Sequence, residues 1–88
     1  MWFVYLIKHS PSNDIYVGFT SDLEKRLLFH NSGENRSTKK LSGTWRYVYY
    51  EAFLSELDAR EREKRLKSHR KGLQMLKERI KNSLEFGV

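Results

Sequence analysis

The sequence predicts a small α+β protein. Its three-stranded, mainly antiparallel sheet is flanked by helices, in the order β-β-α-β-α-α. Three observations lead there. Two β-prone runs flank dense turn chemistry near the start, apolar residues at helical spacing follow in the middle and the final third, and no second strand–helix–strand crossover is present. With 88 residues, the chain has room for one domain, spanning 1–88, and too little for two.

Trp2 to Ile7 is an unbroken apolar run, the pattern of a strand covered on both faces. It does not read as a targeting leader, since no basic stretch precedes it and no small-residue cleavage site follows. It is also far too short to span a bilayer. Ser10-Pro11-Ser12-Asn13-Asp14 supplies turn residues, and Ile15-Tyr16-Val17-Gly18-Phe19 resumes strand character, so the start reads as a β-hairpin. Ser21 and Glu24 stand in a capping-box pattern, opening a helix through Leu23, Leu27 and Leu28 to about Asn31, with Gly33 placed to end it. Ser32 to Thr44 is a polar, basic loop with room for a helical turn. Trp45 to Phe53 forms a third strand, and Ser55 opens a second helix reaching roughly Ser68. Leu73, Leu76 and Ile80 recur at helical spacing and mark a third helix.

Composition narrows the function. With 39% hydrophobic and 14% aromatic residues, the chain is too apolar to be disordered. It has no Cys, which excludes a disulfide framework, a cysteine nucleophile and a thiolate zinc site, and fits a reducing, cytoplasmic setting. Seventeen Lys and Arg against 11 Asp and Glu give a net charge of +6 and a pI near 9.7. That excess points to a polyanionic partner, nucleic acid above all, against the plainer alternative of a solvated charged surface.

The second helix carries an anomaly. Arg60 to Arg65 are all charged, yet a helix docked on a sheet must turn some stripe inward. Glu63 lies between Ala59 and Leu66 on that stripe. Either it points sideways and pairs with Lys67, or it is a carboxylate at the rim of a pocket that needs a cation or metal. Arg26 and His30, one turn apart, are either an exposed polar stripe or a phosphate clamp, for which the guanidinium fork is suited. Tyr5 and Tyr16 are either ordinary strand aromatics or substrate-facing groups. Gly18, close behind Tyr16, permits an unusual φ or a close backbone approach, as a substrate-facing surface needs.

Taken together these residues resemble the GIY-YIG nuclease superfamily. Phe3-Val4-Tyr5 stands where the family has Gly-Ile-Tyr, and Tyr16-Val17-Gly18 where it has Tyr-Ile-Gly. Arg26, within Leu23-Glu24-Lys25-Arg26-Leu27, matches the family's arginine. Glu63, within Glu63-Lys64-Arg65-Leu66-Lys67, falls where the family has its metal-binding glutamate. The likeness covers about residues 2 to 70 and is greatest to small standalone members, similar to the amino-terminal catalytic domain of UvrC. Phe3 departs from the family's first glycine, and no counterpart stands out for the extra asparagine and histidine of the homing endonucleases.

The resemblance implies a metal-dependent endonuclease that hydrolyses nucleic-acid phosphodiester bonds, DNA more than RNA, in repair or recombination. It implies Mg²⁺ or Mn²⁺ on Glu63, Arg26 on the phosphate, and Tyr5 or His30 as general base, with Tyr16 orienting water or phosphate. Arg36, Lys39 and Lys40, with Lys67, His69, Arg70 and Lys71, would track the backbone. The rival readings are a non-catalytic nucleic-acid-binding module and a protein-interaction domain with a basic face.

Overall fold

A strand with no polar residue between Trp2 and Ile7 has to be covered on both sides. The computed structural model, which describes residues 1–40 and 42–86, meets that demand by placing it in the middle of the sheet. Strand β1 (Trp2–Ser10) lies between β2 (Ile15–Thr20) and β3 (Thr44–Phe53). Both pairings are antiparallel, so the sheet is wholly antiparallel where the sequence predicted a mainly antiparallel one. Val4, Tyr5, Leu6 and Ile7 are all at 0% exposure.

Side chains alternate along a strand, so β1 feeds two separate cores. Val4 and Leu6 pack with Val17, Ala59, Leu66 and Leu76, beneath α2 (Glu56–Ser68) and α3 (Arg70–Arg79). Tyr5 and Ile7 pack with Trp45, Leu23 and Leu27, beneath α1 (Leu23–Asn31). The sheet is thus sandwiched, with an aliphatic core on the α2 side and an aromatic one on the α1 side. A register shift in the β1–β3 pairing between Leu6 and Ile7 adjusts the strands around Val48.

The helix boundaries test the sequence reading closely. Ser55 caps α2 as expected, its side chain accepting from the Asp58 N–H. The cap of α1 is Asp22 rather than Ser21: its carboxylate accepts from the Lys25 N–H at 3.0 Å. Thr20 holds Asp22 in place through its hydroxyl, and an ionised cap also suits the helix dipole. With the helix starting one residue later, Glu24 is too near the cap to reach back, so no capping box forms. Leu28 is 70% exposed and belongs to the outer face of α1, not its apolar stripe. Gly33 follows the helix with a φ of +80°, a conformation that favours glycine.

Beyond Ile80 the sequence predicted nothing, but a short α4 (Lys81–Phe86) folds back against β3. The Lys8 ammonium donates to the Leu84 carbonyl at 2.9 Å, satisfying an acceptor that a helix end leaves free. Its six residues are too few to show a period in sequence. Among the described residues, no helix is long and apolar enough to cross a membrane.

Leu66 is 1% exposed at the centre of the α2-side core, whereas Leu57 on the same helix is 74% exposed. Leu66→Ala should lower unfolding free energy by about 2–4 kcal/mol. Leu57→Ala should change it by about 0.5 kcal/mol or less. Urea denaturation of the two variants checks this, and equal losses would mean that α2 is docked differently.

Candidate active site

Tyr5 faces Gly18 across the β1–β2 ladder. Its ring lies over that glycine: a Cβ at residue 18 would come within 2.5 Å of the Tyr5 Cζ and closer still to the hydroxyl. Gly18 therefore lets a fully buried side chain extend across β2 towards the edge of the sheet. Residues of α1 meet it there. The Tyr5 hydroxyl lies 2.7 Å from His30 Nε2 and accepts from Arg26 Nε at 3.4 Å. Tyr16 stands edge-on to His30, with ring centroids 5.1 Å apart.

Helix α2 closes the arrangement from the other side of β2. The Lys67 ammonium sits 5.1 Å from the Tyr16 ring centre and 3.2 Å from Glu63 Oε2. Glu63 has only 19% of its side chain exposed and is near enough to Tyr5 for its charge to disfavour the phenolate. The Lys67 pairing of the first reading is present, and the mostly covered carboxylate also lies close enough to act on Tyr5. An i,i+4 pair of this kind contributes only about 0.5 kcal/mol, so a stronger cation can displace Lys67. Contacts thus run without a break from Arg26 through Tyr5, His30, Tyr16 and Lys67 to Glu63.

Burial sets the protonation states. It pushes the Tyr5 phenol up to about 12, with Arg26 pulling the other way. It also holds His30 down to about 4, helped by the Arg26 guanidinium. Both groups are therefore neutral near pH 7, and their protons can be assigned. Arg26 Nε can only donate, so the Tyr5 oxygen accepts there and its own proton goes to His30 Nε2. His30 then carries its hydrogen on Nδ1 and donates it to Thr38 Oγ1 at 2.8 Å. The opposite tautomer would leave the buried Tyr5 proton without an acceptor.

Thr38 is the site residue that sequence reasoning missed. It is completely buried in a 3₁₀ turn, Arg36–Thr38. Its carbonyl accepts from Trp45 Nε1 at 2.7 Å, and the Asn31 side chain pairs with the Trp45 backbone in both directions. The turn is thereby fixed to α1 and β3. Nothing in a polar segment such as Arg36-Ser37-Thr38-Lys39 distinguishes a buried threonine from its exposed neighbours. Tyr47 went unnoticed too; its ring packs on Tyr5, and its hydroxyl donates to the Leu23 carbonyl at 2.6 Å.

The expected basic clusters divide. Arg36 and Lys39 are exposed on the loop, but Lys40 is paired with Asp14 of the hairpin turn at 2.5 Å. Lys67 belongs to the site itself. His69, Arg70 and Lys71 are exposed where α2 gives way to α3. Among the described residues, no three His, Asp or Glu side chains are grouped closely enough to hold a metal ion alone. One carboxylate with a guanidinium and an ammonium nearby is a donor set that Mg²⁺ or Mn²⁺ can use, because Mg²⁺ keeps several waters and needs few protein ligands.

Comparison with known proteins bears on the family and the fold. Residues 1–79 match the GIY-YIG catalytic domain. A UPF0213 protein of Staphylococcus haemolyticus is 34% identical over 79 residues, covering 88% of this chain and 95% of the relative. A UPF0213 protein of Staphylococcus saprophyticus is 31% identical over 78 residues, covering 86% and 94%. The solution structure of the UPF0213 protein BH0048 from Bacillus halodurans superposes with a TM-score of 0.51 at 30% identity, over 86% of this chain and 83% of that one.

Two outcomes follow from the hydrogen-bond network. The ring ¹⁵N shifts of His30 should report the Nδ1–H tautomer near pH 7, with Thr38→Ser keeping that pattern and Thr38→Val losing it. A wild-type ring protonated on Nε2 would overturn the assignment of the Tyr5 proton. Stability should depend on pH through His30 as well. Its pKa is 6.5 in the unfolded chain and about 4 when folded, so the unfolded state takes up the proton first. The contribution is complete above pH 6.5 and is lost as pH falls towards 4. Denaturant titrations of wild type and His30→Gln should converge over that window, and a constant difference would contradict the lowered pKa.

Proposed function

The chain belongs to the GIY-YIG family, and from that premise we propose that it is a divalent-metal-dependent endonuclease cutting phosphodiester bonds of nucleic acid, DNA in preference to RNA. One observation carries the reading. A buried phenol is hydrogen-bonded at once to a neutral imidazole and a guanidinium, with one carboxylate close by. Core packing alone has no use for four such groups, drawn from one strand and two helices. The resemblance of the sequence motifs to those of a repair nuclease's catalytic domain is what suggests DNA repair or recombination as the setting.

Arg26 clamps the non-bridging oxygens of the scissile phosphate through its fork of donors. Glu63 would hold Mg²⁺ or Mn²⁺, releasing Lys67 towards the phosphate. Such an ion supplies Lewis-acid polarisation and charge for the leaving oxygen. Tyr5 removes a proton from the attacking water as it passes its own to His30 Nε2, so the phenol never has to ionise alone. The phosphate's negative charge offsets the guanidinium that helps hold the His30 pKa down, which makes the imidazole a better acceptor when substrate is bound. Tyr16, edge-on to His30 and beneath Lys67, orients the water. Arg36, Lys39, Arg70 and Lys71 follow the neighbouring backbone, and Lys40 joins them where its pairing with Asp14 yields.

The test compares cleavage, binding in EDTA and thermal melting for wild type, Glu63→Gln, Tyr5→Phe and Arg26→Ala on duplex, nicked, branched and single-stranded substrates of DNA and RNA. Glu63→Gln should abolish cleavage while affinity in EDTA holds or rises slightly. Tyr5→Phe should slow cleavage by roughly 10²–10⁴-fold. Arg26→Ala should cut cleavage heavily and weaken binding by about 1 kcal/mol. A folded Glu63→Gln protein that cuts at the wild-type rate overturns the metal assignment. Binding without any cleavage, Mn²⁺ included, replaces the enzyme with a binding module.

A further inference from the structure

The positive charge of this chain is gathered in one region. Ten of its 17 Lys and Arg lie between residues 60 and 81, against three of its 11 Asp and Glu. The remainder of the chain carries a slight negative excess. Within the basic region, Glu63 and Lys67 turn towards Tyr16, but Arg65, two residues past Glu63, projects from nearly the opposite side of α2. There α2 and α3 frame two adjoining clefts of about 440 and 310 Å³. Arg62, Arg65 and His69 line the first, Arg62 and Arg79 the second, and no carboxylate lines either.

Arg62 is anchored by Glu51, its Nε donating at 2.6 Å, and so is held in place between the clefts. Arg65 and Arg79 have no carboxylate within ion-pairing distance among the described residues. Gly72 lines both clefts and is exposed. A Cβ there would meet nothing nearer than His69 Cβ at 4.0 Å, so packing does not require a residue that weakens a helix relative to Ala. Its missing side chain keeps the junction of the clefts open. Planar guanidiniums without compensating acids suit phosphate oxygens. Their spread along two helices fits a linear polyanion better than a compact acidic patch on a protein.

We propose that the groove between α2 and α3 holds a second stretch of nucleic-acid backbone, separate from the one at Tyr5, so that long nucleic acid contacts both sides of α2. The proposal rests on the endonuclease reading for the identity of the polyanion and not for the existence of the site.

The test is binding of labelled DNA duplexes by fluorescence anisotropy in EDTA over a series of salt concentrations. One duplex is about one helical turn long and the other about three turns. The variants are Arg65→Ala/Arg79→Ala and a charge-matched control outside the groove, Lys64→Ala/Lys81→Ala. The groove variant should weaken binding of the long duplex and lower its log Kd against log salt slope by about 2. It should leave the short duplex within about twofold of wild type, with cleavage of that duplex at saturation unchanged. Equal loss on both lengths, a loss matched by the control, or no loss at all, as an acidic protein partner would give, overturns the proposal. Because binding is read without metal, a protein that fails to cut still tests the groove.

Discussion

The hydrogen bond between the Tyr5 hydroxyl and His30 Nε2 joins the centre of the sheet to α1, and the whole α1 side is arranged around it. It can form only because Gly18 leaves β2 without a side chain at the crossing point. His30 in turn needs a partner for its other nitrogen, which is why a polar loop contributes the buried Thr38. Trp45 then holds that loop through the Thr38 carbonyl. Each buried polar group thus calls for the next, because an unsatisfied donor or acceptor away from water costs about 1–3 kcal/mol. The chain of demands ends at Asn31, whose side chain ties the end of α1 to the start of β3.

The same protein treats its charges in two ways. On the α1 side a phenol and an imidazole are buried as a neutral pair, with the Arg26 guanidinium bonded to the phenol. Burying neutral groups that bond each other is far cheaper than burying ions. On the far side of α2, cations stand in solvent with few acids near them, which costs little there because water screens their repulsion. Glu63 lies between the two regimes, mostly covered yet held by a weak pair with Lys67. A carboxylate so placed remains available to a cation without being locked in the fold.

Much of this was legible in the sequence, through features that act over a few residues. The apolar run of β1, the hairpin turn, Ser55 as a cap and the bounds of α2 follow from local chemistry and period. The cap of α1 was misread by one residue because Ser21 and Asp22 are both good caps, and the hydroxyl of Thr20 decided between them. Helix α4 was invisible, being short and held by a contact with Lys8, which is 76 residues away in sequence. Thr38 was invisible for the same reason at smaller scale, since its burial comes from tertiary packing. The ambiguity over Glu63 was real: geometry gives it a Lys67 partner and an inward aspect together.

The separation of the two cores has a consequence for how this chain tolerates change. The cluster beneath α2 and α3 is built from Val4, Leu6, Val17, Ala59, Leu66 and Leu76 and includes neither tyrosine nor histidine of the site. Volume-conserving exchanges among such aliphatic residues usually cost less than about 1.5 kcal/mol. That half can drift, or be redesigned for heat resistance, while Tyr5, Tyr16, Arg26 and His30 stay where they are, provided α2 remains docked so that Glu63 keeps its place. The aromatic half has no such latitude, because Tyr5 is at once a core side chain and the hub of the hydrogen bonds. Sequence diversity among close relatives should therefore be lopsided, abundant beneath one face of the sheet and scarce beneath the other.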